Sequence, residues 1–110
     1  MSDRIIWIYG NSGAGKTTLA KRLKTDNTVI LDGDELRKVW QLGFSKDDRI
    51  ENNLRAARLA EMLYVQGFEV IVAMICPYRE LRAEITKMIN PRWILVEGGK
   101  EASEKYPFER

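Results

Sequence analysis

Histidine is absent from the sequence and cysteine occurs once. Without histidine, the commonest general base near neutral pH and the commonest metal ligand are both missing, so proton chemistry falls to carboxylates, lysine, tyrosine or the thiol. A lone Cys76 excludes an internal disulfide. No apolar run approaches the roughly 18 residues of a membrane span, and Met1-Ser2-Asp3-Arg4 leads directly into a strand-like run. Neither a membrane partner nor a signal peptide is expected, which makes a cytoplasmic protein the expectation. One-sided charge is lacking too: 18 basic and 16 acidic residues are interspersed, for a net charge of +2. That is unlike the clustered Lys and Arg of a nucleic-acid footprint, so no nucleic acid is expected as a partner. Repeats, low-complexity tracts and linkers are also missing. With 110 residues, 45% apolar and 31% charged, the chain suits one small domain, its core over about 1–97 and an irregular tail over 98–110.

The strongest positive feature is Gly10-Asn11-Ser12-Gly13-Ala14-Gly15-Lys16-Thr17, a complete G-x-x-x-x-G-K-[ST] loop directly after the apolar run Ile5–Tyr9. The context of strand, loop and helix points to a nucleoside triphosphate site. Gly10, Gly13 and Gly15 free backbone N–H groups to wrap an anion, Lys16 suits the β/γ oxygens, and the Thr17 hydroxyl suits Mg²⁺. The helix that follows, opening at Thr17-Thr18, aims its positive end at the same phosphates.

Four short apolar runs alternate with helical patterns: Ile5–Tyr9, 29–31, 70–75 and 93–96. Continuous runs of this length suit buried parallel strands, so the spacing predicts an α/β fold, a P-loop NTPase-type doubly wound parallel sheet of about four strands flanked by helices. A short helix is expected over 17–24 with Leu19, Ala20 and Leu23 inward. Ser45 caps the longest helix, which carries Ala56, Leu59, Ala60 and Leu63 on one face and stops at Gly67. The last helix, 79–88, turns Leu81, Ile85 and Met88, with Ile89 just beyond, toward the sheet before Asn90-Pro91 ends it.

Leu31-Asp32-Gly33-Asp34 places two carboxylates at the C-terminal end of the second strand, the edge where parallel sheets hold ligands. Phosphoryl transfer to an alcohol needs a carboxylate that accepts the hydroxyl proton. Asp34 is the candidate base with Asp32 in support, Lys16 the candidate catalytic cation, and Thr17 and Asp34 the candidate Mg²⁺ ligands. Taken without the phosphate loop, Asp34 also reads as a helix N-cap. Arg49, Asn52 and Arg55 share the first turns of a helix and read equally as a solvated face. Phe44, just before the Ser45 cap, serves as well for a hydrophobic staple as for a ligand surface. Trp7 and Trp93 belong to strand runs and are expected in the core.

Taken together, these stretches resemble the adenylylsulfate kinases. The likeness rests on four motifs in family order: Gly10 to Ala20; Leu31-Asp32-Gly33-Asp34 with Arg37; Leu42-Gly43-Phe44-Ser45 with Asp48-Arg49, Asn52 and Arg55; and Pro77-Tyr78-Arg79 with Arg82. The resemblance implies transfer of phosphate from MgATP to the 3′-hydroxyl of adenosine 5′-phosphosulfate, with ATP and Mg²⁺ as cofactors. It makes Asp34 the base, places Arg37, Arg49 and Asn52 on the phosphosulfate nucleotide, and stacks Phe44 on its adenine. Pro77, which opens the fourth motif, and Cys76 just before it join Asp32 among the implied substrate-binding residues. Family members often dimerise, so a homodimer is implied, although no stripe marks an interface.

Two departures stand out. The family continues well past the fourth strand with a basic lid, whereas here only the tail follows; Lys100 and Phe108 are the expected replacements for its cation and aromatic, with Arg79 and Arg82 as the alternative source of charge. Cys76 also stands where the family commonly has Ser, and a thiol is a fair apolar filler at a strand end. A kinase for another small acceptor and an ATP-binding module with little turnover stay open beside the leading reading. A GTPase is not expected, since the sequence has no Asn-Lys-x-Asp run to read guanine.

Overall fold

Side chains alternate across a strand, and β1 (Ile5–Tyr9) uses both of its faces: Ile5 and Trp7 enter one core cluster, Ile8 a second. The same division holds in β3 (Glu69–Ala73), where Val70 and Val72 join the first cluster and Ile71 and Ala73 the other. Strands buried on both sides require helices on both sides. The structure, a computed structural model, describes residues 4–110.

Within them, β1, β2 (Thr28–Asp32), β3 and β4 (Arg92–Leu95) form one parallel sheet in the order β2-β3-β1-β4. This is the expected doubly wound α/β architecture, with strand ends shifted by one or two residues. The chain passes from β1 out to β2, returns beside β1 as β3 and crosses to its far side as β4. The open ends of β1, β2 and β3 therefore converge on one edge, where such folds hold ligands.

Four helices flank the sheet: α1 (Lys16–Leu23), α2 (Gly33–Trp40), α3 (Lys46–Val65) and α4 (Arg79–Ile89). The smaller core cluster contains Ala20 of α1; the larger takes residues from the other three helices. In α3, Ala56, Ala57 and Ala60 are all fully buried, which lets the helix backbone approach the sheet closely. Its N-cap is Ser45, whose Oγ accepts from Asp48 N at 3.1 Å, as the sequence pattern predicts. Leu81, Ile85 and Ile89 of α4 are buried, with Met88 partly so. Trp7 pairs with Trp93 in the β1–β4 register, and their ring centroids lie 5.3 Å apart. Both thus pack in the core region, as expected for strand residues.

Two local expectations are corrected. Leu23 is 41% exposed rather than inward, because α1 stops there and the chain leaves it through Lys24 in extended conformation. Asp34 is not the cap of α2; Asp32 is, with Oδ1 accepting from Asp34 N at 2.9 Å and Glu35 N at 3.3 Å. The carboxylate that ends a strand is one residue before the helix, which is where a cap acceptor must sit.

Candidate active site

Gly15, at φ 97°, turns the chain from the loop into α1 without offering a side-chain cap. The first N–H groups of α1 are left facing the loop, where they and the helix dipole favour an anion. Lys16 Nζ donates to Asn11 O at 3.0 Å, laying the ammonium across the loop. Burial lowers the Lys16 pKa from its ordinary value, with Asp34 and Asp32 pulling the other way. Beside it, Thr17 Oγ1 donates to Asp32 Oδ2 at 2.8 Å. Asp32 therefore ties the loop helix to the cap of α2 with its two carboxylate oxygens.

The opposite wall begins with Arg37, whose Nη1 lies 2.6 Å from Asp34 Oδ1 and whose guanidinium sits 4.4 Å over the Phe44 ring. Asp48 Oδ2 accepts from Gly43 N at 2.8 Å and so shapes the bend that carries Phe44. Asn52 is buried, donates from Nδ2 to Gly33 O at 3.1 Å, and leaves Oδ1 without a partner. Arg49 reaches Lys105 O at 3.4 Å.

One cavity of about 720 Å³ joins these two walls, within the roughly 300–1,000 Å³ typical of small-molecule sites. Of the residues expected from sequence, it is lined by Asn11, Ser12, Gly13, Gly15, Lys16, Thr17, Thr18, Asp32, Asp34, Arg37, Phe44, Arg49, Asn52 and Pro77. Gly10, Ala14 and Cys76 are outside that lining. A Cβ on Gly10 would face the carbonyl of Val96, so that glycine serves the packing of the loop against the sheet. The Cys76 thiol is fully buried, which fits the apolar-filler reading of this position better than a place against substrate.

The structure also adds residues the sequence pattern did not mark: Asn53 of α3, and Lys105, Tyr106 and Pro107 of the tail. The tail has no helix or strand, as expected, but it is pinned at several points. Asn11 Nδ2 donates to Lys100 O at 3.0 Å and Tyr106 O at 3.1 Å, and Lys100 N donates to Ser12 O at 2.8 Å. Lys100 and Phe108, expected at the site, do not line the cavity. Phe108 packs on Tyr9, with centroids 6.2 Å apart, and under the Arg82 guanidinium at 5.6 Å. Arg82 is itself buried and donates to the carbonyls of Cys76 and Glu109. It anchors the tail, and neither it nor Arg79 faces the cavity. The signal that could have separated Tyr106 from Phe108 is the Asn11 side chain, since an amide in a phosphate loop needs partners of its own.

Burial pushes the Cys76 thiol up from 9.0 to about 12, Arg82 opposing the shift. The thiol is therefore neutral at physiological pH, and what its burial contributes to stability is fully present below pH 9.0 and lost as pH rises toward about 12. Native protein at pH 8 should alkylate far more slowly than protein unfolded in guanidinium; equal rates under mass-spectrometric readout would contradict the buried placement.

A parallel sheet with a glycine-rich phosphate loop, a threonine–aspartate pair and a basic facing wall defines a nucleotide-binding domain of the P-loop class. The chain belongs to the adenylylsulphate kinase family, whose model matches residues 2–98. It is 42% identical over 95 residues to an adenylyl-sulfate kinase of Burkholderia ambifaria, covering 79% of this chain and 52% of that protein. Identity to the adenylyl-sulfate kinase of a Picosynechococcus species is 46% over 93 residues, 77% of this chain and 52% of that one. The chain spans about half the length of the curated relatives it matches. The Mycobacterium tuberculosis APS kinase solved in complex with AMPPNP and APS superposes with a TM-score of 0.65 at 31% identity, over 83% of this chain and 59% of that one. The hexameric APS kinase of Thiobacillus denitrificans gives 0.67 at 31% identity, over 83% and 21%.

Proposed function

We propose that the protein transfers the γ-phosphoryl group of ATP to the 3′-hydroxyl of adenosine 5′-phosphosulfate. The observation that carries this reading is a cavity that joins the phosphate loop to Asp34, Arg37, Phe44, Arg49 and Asn52. Family membership and the relative solved with AMPPNP and APS support the same pairing of substrates.

In this mechanism the loop amides and Lys16 hold the β- and γ-phosphates in line with the acceptor. Asp34 accepts the proton of the 3′-hydroxyl as the new O–P bond forms and the bond to the leaving ADP oxygen breaks. Arg37, paired with Asp34 at 2.6 Å, orients that carboxylate. Arg49 binds phosphate or sulfate oxygens of the acceptor, while Phe44 offers its base an apolar face. The hard oxygen donors Thr17 Oγ1 and Asp32 Oδ2, 2.8 Å apart, fit Mg²⁺, directly or through water, better than Asp34, which Arg37 already holds. Mg²⁺ would supply charge neutralisation at the β/γ oxygens. A cytoplasmic location and paired subunits belong to the same reading, and their support is the family alone.

The test is ADP release from MgATP with and without adenosine 5′-phosphosulfate, following the nucleotide product directly. Acceptor-dependent ADP together with a 3′-phosphorylated product is expected. ATP binding with no acceptor-stimulated turnover would replace the proposal by another acceptor or by a binding module.

A further inference from the structure

From residue 99 onward the tail lies beyond residues 2–98, the part of the chain that the family model matches, yet it supplies part of the cavity wall. Its arch is fixed at both feet. At one, Lys100 N donates to Ser12 O at 2.8 Å, and a Cβ on Gly99 would lie 2.5 Å from that same carbonyl, so tail and phosphate loop are in direct contact. At the other, Glu109 N donates to Pro77 O at 2.7 Å and Glu109 Oε1 accepts from Arg79 N at 2.9 Å. Between the feet, Ser103 and Tyr106 close a turn through Ser103 N to Tyr106 O at 3.0 Å and Tyr106 N to Ser103 Oγ at 3.1 Å.

Asn11 is the tie between arch and loop. It is 5% exposed, its Oδ1 accepts from Ser12 N at 2.8 Å, and its Nδ2 spends both hydrogens on tail carbonyls, Lys100 O and Tyr106 O. A side chain with every polar group used this way fixes the arch relative to the phosphate loop. The arch then meets the acceptor wall, where Arg49 donates to Lys105 O at 3.4 Å.

Charge says what this wall faces. Among the charged side chains lining the cavity, Arg37 is neutralised by Asp34, and Asp32 is taken by Thr17 and the α2 cap. Lys16 lies on the phosphate loop, which leaves Arg49 and Lys105 for an anionic acceptor. Lys105 makes no ion pair among the described residues, and its Nζ rests 5.5 Å from the Tyr106 ring centroid, on the same stretch of chain.

We propose that residues 100–107 form a fixed wall of the acceptor half of the site, with Lys105 binding the acceptor's anionic group and Asn11 positioning that wall on the phosphate loop. This rests on the kinase reading above. The acceptor's phosphate or sulfate oxygens lie between the Arg49 guanidinium and the Lys105 ammonium, and Tyr106 closes the space beside them.

The experiment is isothermal titration of adenosine 5′-phosphosulfate into the protein loaded with a non-hydrolysable ATP analogue. Lys105→Ala should weaken acceptor binding about tenfold, Lys105→Arg should restore it to within about threefold, and affinity for the ATP analogue should stay within about twofold. Asn11→Ala should weaken acceptor binding as well, and Asn11→Ala with Lys105→Ala together should be no worse than the weaker-binding of the two single variants, because Asn11 acts through the wall that carries Lys105. Additive losses would overturn the positioning role. Wild-type protein that binds the acceptor while Lys105→Ala binds it equally well overturns the proposal and leaves the kinase reading standing. Wild-type protein that binds the ATP analogue but no acceptor overturns both.

Discussion

Asp34→Ala is expected to lower acceptor-dependent ADP release by about 10²–10⁴-fold while changing stability by no more than about 1 kcal/mol. The two effects separate because the Asp34 side chain is 83% exposed and its one ion pair, to Arg37, spans i to i+3 on a helix surface. Such pairs contribute only a few tenths of a kcal/mol, and an acidic residue in the first turn of α2 adds a similar amount. Its value is chemical: it stands on the cavity wall near enough to Lys16 to act on that ammonium electrostatically. Asp32 provides the contrast. It caps α2 through two N–H groups and accepts from Thr17, so Asp32→Ala should reduce melting temperature and turnover together, with a cap loss of about 1–2 kcal/mol. The pair of assays is thermal unfolding beside single-turnover ADP release. Equal stability losses in the two variants would contradict the capping role given to Asp32 alone, and Asp34→Ala turnover close to wild type would remove Asp34 from the role of base.

Those two aspartates also show how far the sequence could be read. Asp32-Gly33-Asp34 at a strand end was legible as a ligand edge because strand periodicity and the phosphate loop fix which end of the sheet is open. The division of labour between the carboxylates was not, since capping depends on a one-residue offset that only backbone geometry decides. Continuous apolar runs were enough to give the strands and their parallel pairing. The exposure of Leu23 is not legible in the sequence, because helical periodicity says nothing about where a helix runs out of sheet to cover. The tail is the least legible segment. Lys100 and Lys105 offer the same ammonium and Tyr106 and Phe108 similar aromatic faces, and which of each pair meets the cavity follows from Asn11, which holds Tyr106 O, and Arg82, which holds Glu109 O. Neither of those anchors carries a periodic signal.

Gly10→Ala should be the most damaging glycine substitution in the phosphate loop. Gly10 has φ 152°, and a Cβ there would sit 2.3 Å from the Val96 carbonyl oxygen, a backbone atom that no rotamer change can move aside. The clash is placed where it matters. Val96 N donates to Tyr9 O at 2.8 Å, extending the β1–β4 pairing just before the chain leaves the sheet for the loop. Relief requires either that Val96 withdraw, breaking this edge of the sheet, or that Gly10 shift and take the loop amides away from the phosphates. Backbone strain and overpacking each cost about 1–3 kcal/mol, so a combined loss of roughly 3 kcal/mol and a melting temperature lower by about 15 °C are expected. Gly15 isolates the first of these costs, because it too has positive φ, 97°, but a Cβ on it meets nothing within 4 Å. Gly15→Ala should therefore lose only about 1–2 kcal/mol, the strain of a left-handed alanine. Thermal unfolding of the two variants side by side decides the point: the close approach of Val96 predicts a clear gap between them, and equal melting temperatures would mean that the strand and loop yield to a methyl group at Gly10 without cost.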